Sequence, residues 1–227
     1  ILVDKTNHHL FQPLLYQVAT GANRPTDIAI NIRELFTKQE NVTVLLDEVL
    51  SIHPDTHEIL LERGAHVRYD KLIVATGARH TYFGQDHWEK FAPGLKTLGD
   101  AIEIRDRIFG CFEEAERKGL MANTNQQLRF VIVGGGPTGV ELAGAIAEIA
   151  FSTLKDDFRR IDPSQAKIYL VNSGPRVLAS FSEKLSGKAE KHLEELGVEV
   201  VSGALVTNVT ESGVQVGDDF IPADNIF

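Results

Sequence analysis

The sequence predicts an α/β fold built from two related Rossmann-like units, the first of them incomplete, and three observations carry that prediction. A glycine-rich loop at residues 134–139 lies directly between an apolar strand and a helix-patterned run. Strand-like segments of the first half recur in the second. The composition, 43% hydrophobic and 24% charged over 227 residues, is that of a globular chain with no biased tract. At roughly 150 residues per domain, this length suits one large α/β domain or two small ones.

Charge and cysteine usage exclude several function classes. Lys and Arg total 23 against 32 Asp and Glu, a formal net charge of −9, which opposes attraction to phosphate backbones, so nucleic acid is excluded as a partner. Cys111 is the single cysteine, so no disulfide framework, four-Cys zinc site or dithiol redox pair forms within one chain. The histidines fall at no metal-ligand spacing, and no metal site is predicted. No apolar run approaches the roughly 18 residues of a spanning helix, and the N-terminus lacks a signal-peptide pattern, so the expectation is a soluble chain.

Taken in order, Ile1–Val3 reads as the end of a strand leading into Asp4. A short helix is expected over Leu14–Ala19, after Pro13 and before Gly21. Pro25, Thr26 and Asp27 resemble a helix start, and Ile28, Ile32, Leu35 and Phe36 continue at helical spacing to about Gln39. A strand follows near Val42–Leu46, then a hairpin of His57–Arg63 and His66–Tyr69 across Gly64, then a short strand Lys71–Ala75 closed by Thr76 and Gly77. From Asp100, read as an N-cap, Ala101, Ile104, Ile108, Phe112 and Ala115 mark a long amphipathic helix that Gly119 ends. The polar stretch 119–127 suggests a domain boundary, giving domains of 1–120 and 121–227. Beyond it come a buried-type strand Arg129–Val133, a helical run Val140–Ile149, a strand Lys167–Val171, and a helix carrying Leu185, Ala189, Leu193 and Leu196 that Gly197 stops. Asp224–Phe227 reads as a strand just beginning, so both ends look cut.

Val42, Val44 and Val49 recur 156 positions later as Val198, Val200 and Leu205, and Leu2, Val3 and Asp4 recur 168 positions later as Leu170, Val171 and Asn172. Tyr69, Asp70 and Leu72 match Ala223, Asp224 and Ile226. Chance likeness between Val- and Leu-rich segments is the competing explanation. The second copy has a strand and glycine loop, about 128–144, for which the first copy has no counterpart after residue 1.

The strongest motif is VIVGGGPTGVELAG, residues 131–144, in which Gly134, Gly136 and Gly139 form G-x-G-x-x-G between strand and helix. The first glycine makes the tight turn, the second leaves room for a pyrophosphate, and the third lets helix and strand pack. The helix N-terminus offers unpaired N–H groups and a partial positive charge to the phosphates. The end of the next strand ordinarily carries an acidic residue that holds the adenosine ribose, and here Asn172 stands there. An amide bonds a ribose without repelling a 2′-phosphate, and Arg176 is near in sequence, so NADP(H) stays open beside NAD(H). On that reading, Asn172→Glu raises the preference for NADH.

With Asp4, the run NHHLFQPLLYQVATG at 7–21, VATGA at 74–78 and VGGGPTGVELAG at 133–144 in this order, the chain resembles the type II NADH dehydrogenases over essentially its whole length. These are single-subunit flavoprotein NADH:quinone oxidoreductases. The resemblance implies an FAD/NAD(P)-binding flavoprotein fold, with 1–120 a partial FAD-binding domain and 121–227 an NAD(P)H-binding domain. A C-terminal region beyond this sequence would complete the flavin site and attach to the membrane. The implied activity is hydride transfer from NADH to FAD and two-electron reduction of a quinone in a respiratory chain, without proton pumping. The implied setting is peripheral, on the cytoplasmic side of the inner membrane, as a homodimer.

Carried over by position, Asp4 would bind the FAD ribose, Val49 would lie by the adenine, and Ala75, Thr76 and Gly77 would pass along the flavin. Phe11, Gln12 and Pro13 would lie near its ring. Gly134, Gly135, Gly136, Pro137, Thr138 and Gly139 would cradle the NADH pyrophosphate. Glu141 would sit near nicotinamide and flavin, orienting the carboxamide or assisting proton delivery, and a carboxylate favoured in the first turn of a helix is the alternative reading. A flavin reductase with another acceptor, or a nucleotide-binding module without turnover, remain the competing functions.

Overall fold

A computed structural model describes residues 1–122 and 128–227, so most of the expected boundary stretch 119–127 lies outside the described residues. In chain order the elements are β1 (Leu2–Asp4), β2 (His8–Leu10), α1 (Leu15–Ala19), α2 (Pro25–Ile28), β3 (Ala29–Asn31), α3 (Ile32–Leu35), β4 (Val44–Leu46), β5 (Val49–His53), β6 (Glu58–Leu61) and β7 (His66–Arg68). There follow α4 (Leu98–Ala122), β8 (Arg129–Val133), α5 (Pro137–Glu148), β9 (Lys167–Asn172), α6 (Glu183–Glu195), β10 (Val198–Ser202), β11 (Val206–Thr210), β12 (Gly213–Val216), β13 (Asp219–Pro222) and β14 (Asn225–Ile226). Two compact units result: one of residues 1–11 and 25–79, the other of 12–24 and 80–227. The long helix α4 groups with the second unit, so packing does not follow a cut at residue 120.

In the first unit β1 and β4 pair in parallel, β2 and β3 antiparallel, and β5, β6 and β7 form an antiparallel sheet. The single helix expected from Pro25 to about Gln39 is corrected: α2, β3 and α3 replace it. Ala29–Asn31 is drawn into a ladder with β2, and the Asn31 side chain then restarts the helix by accepting from Arg33 N at 3.0 Å. Pairing with a neighbouring strand outweighs local periodicity here. Lys71–Ala75 forms no strand, with Ile73 and Val74 90% and 61% exposed. Its counterpart in the second copy, β14, is a strand because β8 lies beside it, and residues 71–75 have no such neighbour among the described residues.

The second unit is built on a parallel sheet of order β10-β9-β8-β14 beside an antiparallel sheet β11-β12-β13. Successive residues of a strand face opposite sides. Phe130 accordingly meets Phe112 of α4, ring centroids 5.7 Å apart, while Val131, Val171 and Ile226 pack against Val206, Val209 and Val214 of the other sheet. Helix α4 opens on a reciprocal cap: Asp100 Oδ2 accepts from Thr97 N at 2.8 Å and Asp100 N donates to Thr97 Oγ1 at 3.1 Å. Thr97 is therefore the N-cap and Asp100 lies inside the first turn. Gly119 does not end this helix, which continues to Ala122. Gly197, at φ +91, does end α6.

The internal repeat is visible as register. Leu2 pairs with Val44 and Asp4 with Leu46, and their counterparts Leu170 and Asn172 pair with Val200 and Ser202. The three-stranded sheets correspond too, each with a register shift at the start of its first strand, between Val49 and Ser51 and between Val206 and Asn208. No helix among the described residues is long and apolar enough to cross a membrane.

Candidate functional site

The site grows out of the turn between β8 and α5. Gly134 leaves the strand at φ +117, a conformation L side chains rarely adopt, and its N–H donates to Val171 O at 2.8 Å. A Cβ on Gly139 would stand 2.0 Å from Gly134 O and 3.5 Å from Ile132 Cγ2, so that position admits only glycine. Gly136 differs: nothing lies within 4 Å of where its Cβ would be. It is the extended N-cap of α5, makes no side-chain cap bond, and is followed by Pro137 at the start of the helix. Among the described residues no side chain caps the opening turn of this 12-residue helix, the arrangement that receives a phosphate.

Gly135 is buried and held on both sides. Its N–H donates to Asn172 Oδ1 at 3.2 Å, and its carbonyl accepts from Leu178 N at 2.7 Å. Asn172 Nδ2 donates to Gly174 O and to Arg176 O, each at 3.0 Å. The carboxamide expected to meet a ribose is therefore engaged inside the chain. The Arg176 guanidinium is likewise directed at its own loop, at 3.0 Å from Phe181 O and 3.1 Å from Ala179 O.

A cavity of about 210 Å³ lies next to this turn, lined by Gln12, Pro13, Leu15, Tyr16, Leu95, Pro137, Thr138 and Glu141. It brings Gln12 and Pro13, predicted near a flavin ring, together with Pro137, Thr138 and Glu141 of the glycine-loop helix, all within the second unit. Burial pushes the Glu141 carboxyl above its ordinary value. The Tyr16 hydroxyl accepts from Gln17 Nε2 at 3.0 Å, and Gln17 Oε1 from Asn23 Nδ2 at 2.6 Å, which fixes this wall. Sequence reasoning did not single out Leu15, Tyr16 or Leu95 as site residues. The first two belong to the run at 7–21, which could have flagged them, whereas nothing in the pattern marks Leu95. A larger hollow, about 440 Å³, runs along the charged face of α4 among Glu113, Glu116, Arg117 and Arg160 and shares no lining residue with the glycine loop.

In the first unit the predicted flavin residues stand on separate segments. Asp4 closes β1, and its Oδ1 accepts from Thr6 N and Thr6 Oγ1, both at 2.7 Å. Val49 begins β5, half-buried, opposite Leu61. Ala75, Thr76 and Gly77 are exposed and outside any element, Gly77 at φ +73. Phe11 is 53% exposed and donates its N–H to Ile28 O at 2.8 Å.

Comparison with known proteins then decides the family. The profile of the pyridine nucleotide-disulphide oxidoreductases matches residues 1–225. The chain belongs to the pyridine nucleotide-disulphide oxidoreductase family. This family membership agrees with the FAD/NAD(P)-binding α/β fold, although the single Cys111 leaves the dithiol chemistry of the family's name without a basis in this chain. The type II NADH:quinone oxidoreductase Ndh of Mycobacterium tuberculosis (strain ATCC 25618 / H37Rv) is 47% identical over 220 residues, which is 96% of this chain and 48% of that protein. The mitochondrial external alternative NAD(P)H-ubiquinone oxidoreductase B1 of Solanum tuberosum is 31% identical over 225 residues, covering 92% of this chain and 38% of the relative. Among solved structures, NDH2 from Plasmodium falciparum in complex with NADH superimposes with a TM-score of 0.86 at 22% identity, over 99% of this chain and 48% of that one, a likeness of fold. The chain thus spans about half the length of the Mycobacterium relative.

Proposed function

We propose that this chain is the dinucleotide-binding part of a type II NADH:quinone oxidoreductase that passes a hydride from NADH to FAD and two electrons on to a quinone without pumping protons. The observation that carries the reading is the cavity in which Gln12 and Pro13 face Thr138 and Glu141 beside the glycine loop. The 47% identity to a protein of that name supports it. On this reading residues 1–120 serve FAD and 121–227 serve NAD(P)H. The protein works peripherally at the cytoplasmic face of the inner membrane, through a C-terminal region outside this sequence, and pairs as a homodimer.

The glycine-loop residues fit the pyrophosphate of NADH. Nothing lies within 4 Å of where a Gly136 Cβ would stand, and Gly134–Gly139 with the N-terminus of α5 would hold the NADH pyrophosphate. Asp4 has one carboxylate oxygen engaged by Thr6 and the other available to the FAD ribose. Val49 would lie by the adenine, the exposed backbone of Ala75–Gly77 along the flavin, and Phe11, Gln12 and Pro13 near its ring. When bound, FAD supplies the hydride acceptor and the two-electron chemistry. Glu141, its carboxyl raised by burial, keeps a proton more readily than an ordinary glutamate and would orient the nicotinamide carboxamide or hand a proton toward the quinone.

The test is the visible spectrum of the purified full-length protein, read before and after NADH and then quinone. A flavin band bleached by NADH and restored by quinone is the expected result. A flavin that NADH leaves oxidised would overturn the reading, and a colourless protein that still binds NADH would point to a nucleotide-binding module.

A further inference from the structure

We propose that Tyr16 donates its hydroxyl proton to the carbonyl oxygen of the nicotinamide carboxamide and so fixes how that ring lies beside the glycine loop; this rests on the reading of the cavity next to that loop as the nicotinamide site. Tyr16 lines the cavity together with Gln12, Pro13, Thr138 and Glu141. A phenol hydroxyl can accept one hydrogen bond and donate another. Here the oxygen accepts from Gln17 Nε2 at 3.0 Å, and among the described residues the proton meets no acceptor.

The direction of the neighbouring bonds is what leaves that proton over. Asn23 Nδ2 donates to Gln17 Oε1 at 2.6 Å, so the Gln17 amide turns its nitrogen, and not its oxygen, to the phenol. Asn23 is itself tied to α1 through its backbone N–H, which donates to Gln17 O at 3.0 Å. The side chains therefore donate in one sense, from Asn23 to Gln17 to Tyr16, and bonds that run in one sense strengthen each other. The last group in the chain is the Tyr16 O–H, half-buried on a wall whose remaining members Leu15, Leu95 and Pro137 are apolar.

A primary carboxamide carries one carbonyl acceptor and one NH₂ donor group. The cavity sets the matching pair in one space: a phenol that donates, Tyr16, and a carboxyl oxygen that accepts, Glu141. Glu141 offers such an oxygen whether or not it holds its proton. A nicotinamide turned the other way would bring its carbonyl to the carboxyl and its NH₂ to the phenol proton, so the pair selects one orientation of the ring. ADP-ribose has the same pyrophosphate without the nicotinamide and gains nothing from Tyr16.

The experiment is titration calorimetry of the full-length protein and its Tyr16→Phe and Gln17→Glu variants with NAD⁺ and with ADP-ribose, together with the visible flavin spectrum of each. Tyr16→Phe keeps the ring and removes only the donor. Gln17→Glu keeps an acceptor for Asn23 but offers the phenol an acceptor inside the chain, which draws its proton out of the cavity. Both variants are expected to bind NAD⁺ about three- to tenfold more weakly, with ADP-ribose held within about twofold and the flavin band unmoved. Unchanged NAD⁺ affinity in Tyr16→Phe would overturn the proposal, and so would NAD⁺ and ADP-ribose weakened alike, the mark of a residue that only shapes the helix. A moved flavin band at unchanged NAD⁺ affinity would overturn it by giving the phenol proton to the flavin. An unsubstituted protein that binds both ligands equally would remove the nicotinamide from this cavity and the proposal with it, whereas one that binds neither would overturn the pyrophosphate reading itself.

Discussion

The Cβ that any residue other than glycine would bring to position 139 falls 2.0 Å from the carbonyl oxygen of Gly134. The obstacle is backbone, and the same carbonyl belongs to a residue held at φ +117 with its N–H on Val171. The close crossing of β8 and α5 therefore depends on this pair. Gly139→Ala is expected to lower the unfolding free energy by about 1–3 kcal/mol and to weaken NADH binding along with it. Urea unfolding and a nucleotide titration on the variant check both halves.

Glu116 ties α4 to the loop that follows α5. Its carboxylate accepts from the backbone N–H groups of Arg159, Arg160 and Ile161 at 3.1, 2.8 and 3.1 Å. Burial works against its charged form, but these three bonds outweigh burial and hold the carboxyl below the ordinary value. A depressed carboxyl contributes stability that is present above the unfolded value and lost as pH falls through the folded one. Glu116→Gln is expected to melt a few degrees lower than the parent protein at neutral pH, with the gap closing in acid. Melting curves across the acid range show whether it closes.

Cys111 lies on α4 with its Sγ 3.3 Å from Ile108 O. Burial, reinforced by the charge of Asp224, pushes its thiol up to about 12. Nucleophilic reactions of cysteine run through the thiolate. At pH 8 its labelling by a disulfide reagent is expected to be at least about a thousandfold slower than that of free cysteine, becoming rapid in denaturant. Rapid labelling of the folded protein would show that the thiol is open.

Glu141 combines a raised carboxyl with a place in the cavity beside Gln12, Pro13 and Thr138. Because folding favours its protonated form, its contribution to stability falls as pH rises through the carboxylate range. Glu141→Gln is therefore expected to melt at or above the parent temperature at neutral pH, with the difference vanishing in acid. In the full-length enzyme the same change is expected to leave NADH affinity within about threefold while lowering kcat by about 10²-fold, the usual worth of a placed proton donor. Parallel measurements of Tm and steady-state kinetics separate the two effects.

The parts of the fold legible in the sequence are those whose geometry is dictated locally. Gly134 and Gly139 announce the turn between β8 and α5, because a side chain is strained at the first, held at φ +117, and collides with backbone at the second, and Ala101, Ile104, Ile108 and Phe112 announce α4 because all four are buried at helical spacing. The repeat was legible as well, and the structure adds the register, which pairs Leu2 with Val44 and their counterparts Leu170 with Val200. What escaped depends on partners distant in the chain. Ala29–Asn31 is a strand because His8–Leu10 lies beside it, Lys71–Ala75 has no such neighbour among the described residues, and β5 is a strand through its pairing with β6. At the site, the sequence marked Glu141 and the glycines but not Leu95, which reaches the cavity only through folding. Asn172 was legible as a residue of interest, while its inward-facing bonds to Gly135, Gly174 and Arg176 were not.

On the proposed reading the open turn at Gly136 receives the pyrophosphate of NADH. Gly136 has φ −76 and nothing within 4 Å of its Cβ position, so Gly136→Ala should fold with the parent stability and yet fill the cradle. Titration calorimetry of both proteins with NADH is the direct measurement. Saturable binding to the parent, weakened at least about tenfold in Gly136→Ala at an unchanged Tm, is the expected result. Equal binding by the two, or no heat from the folded parent, would contradict the account.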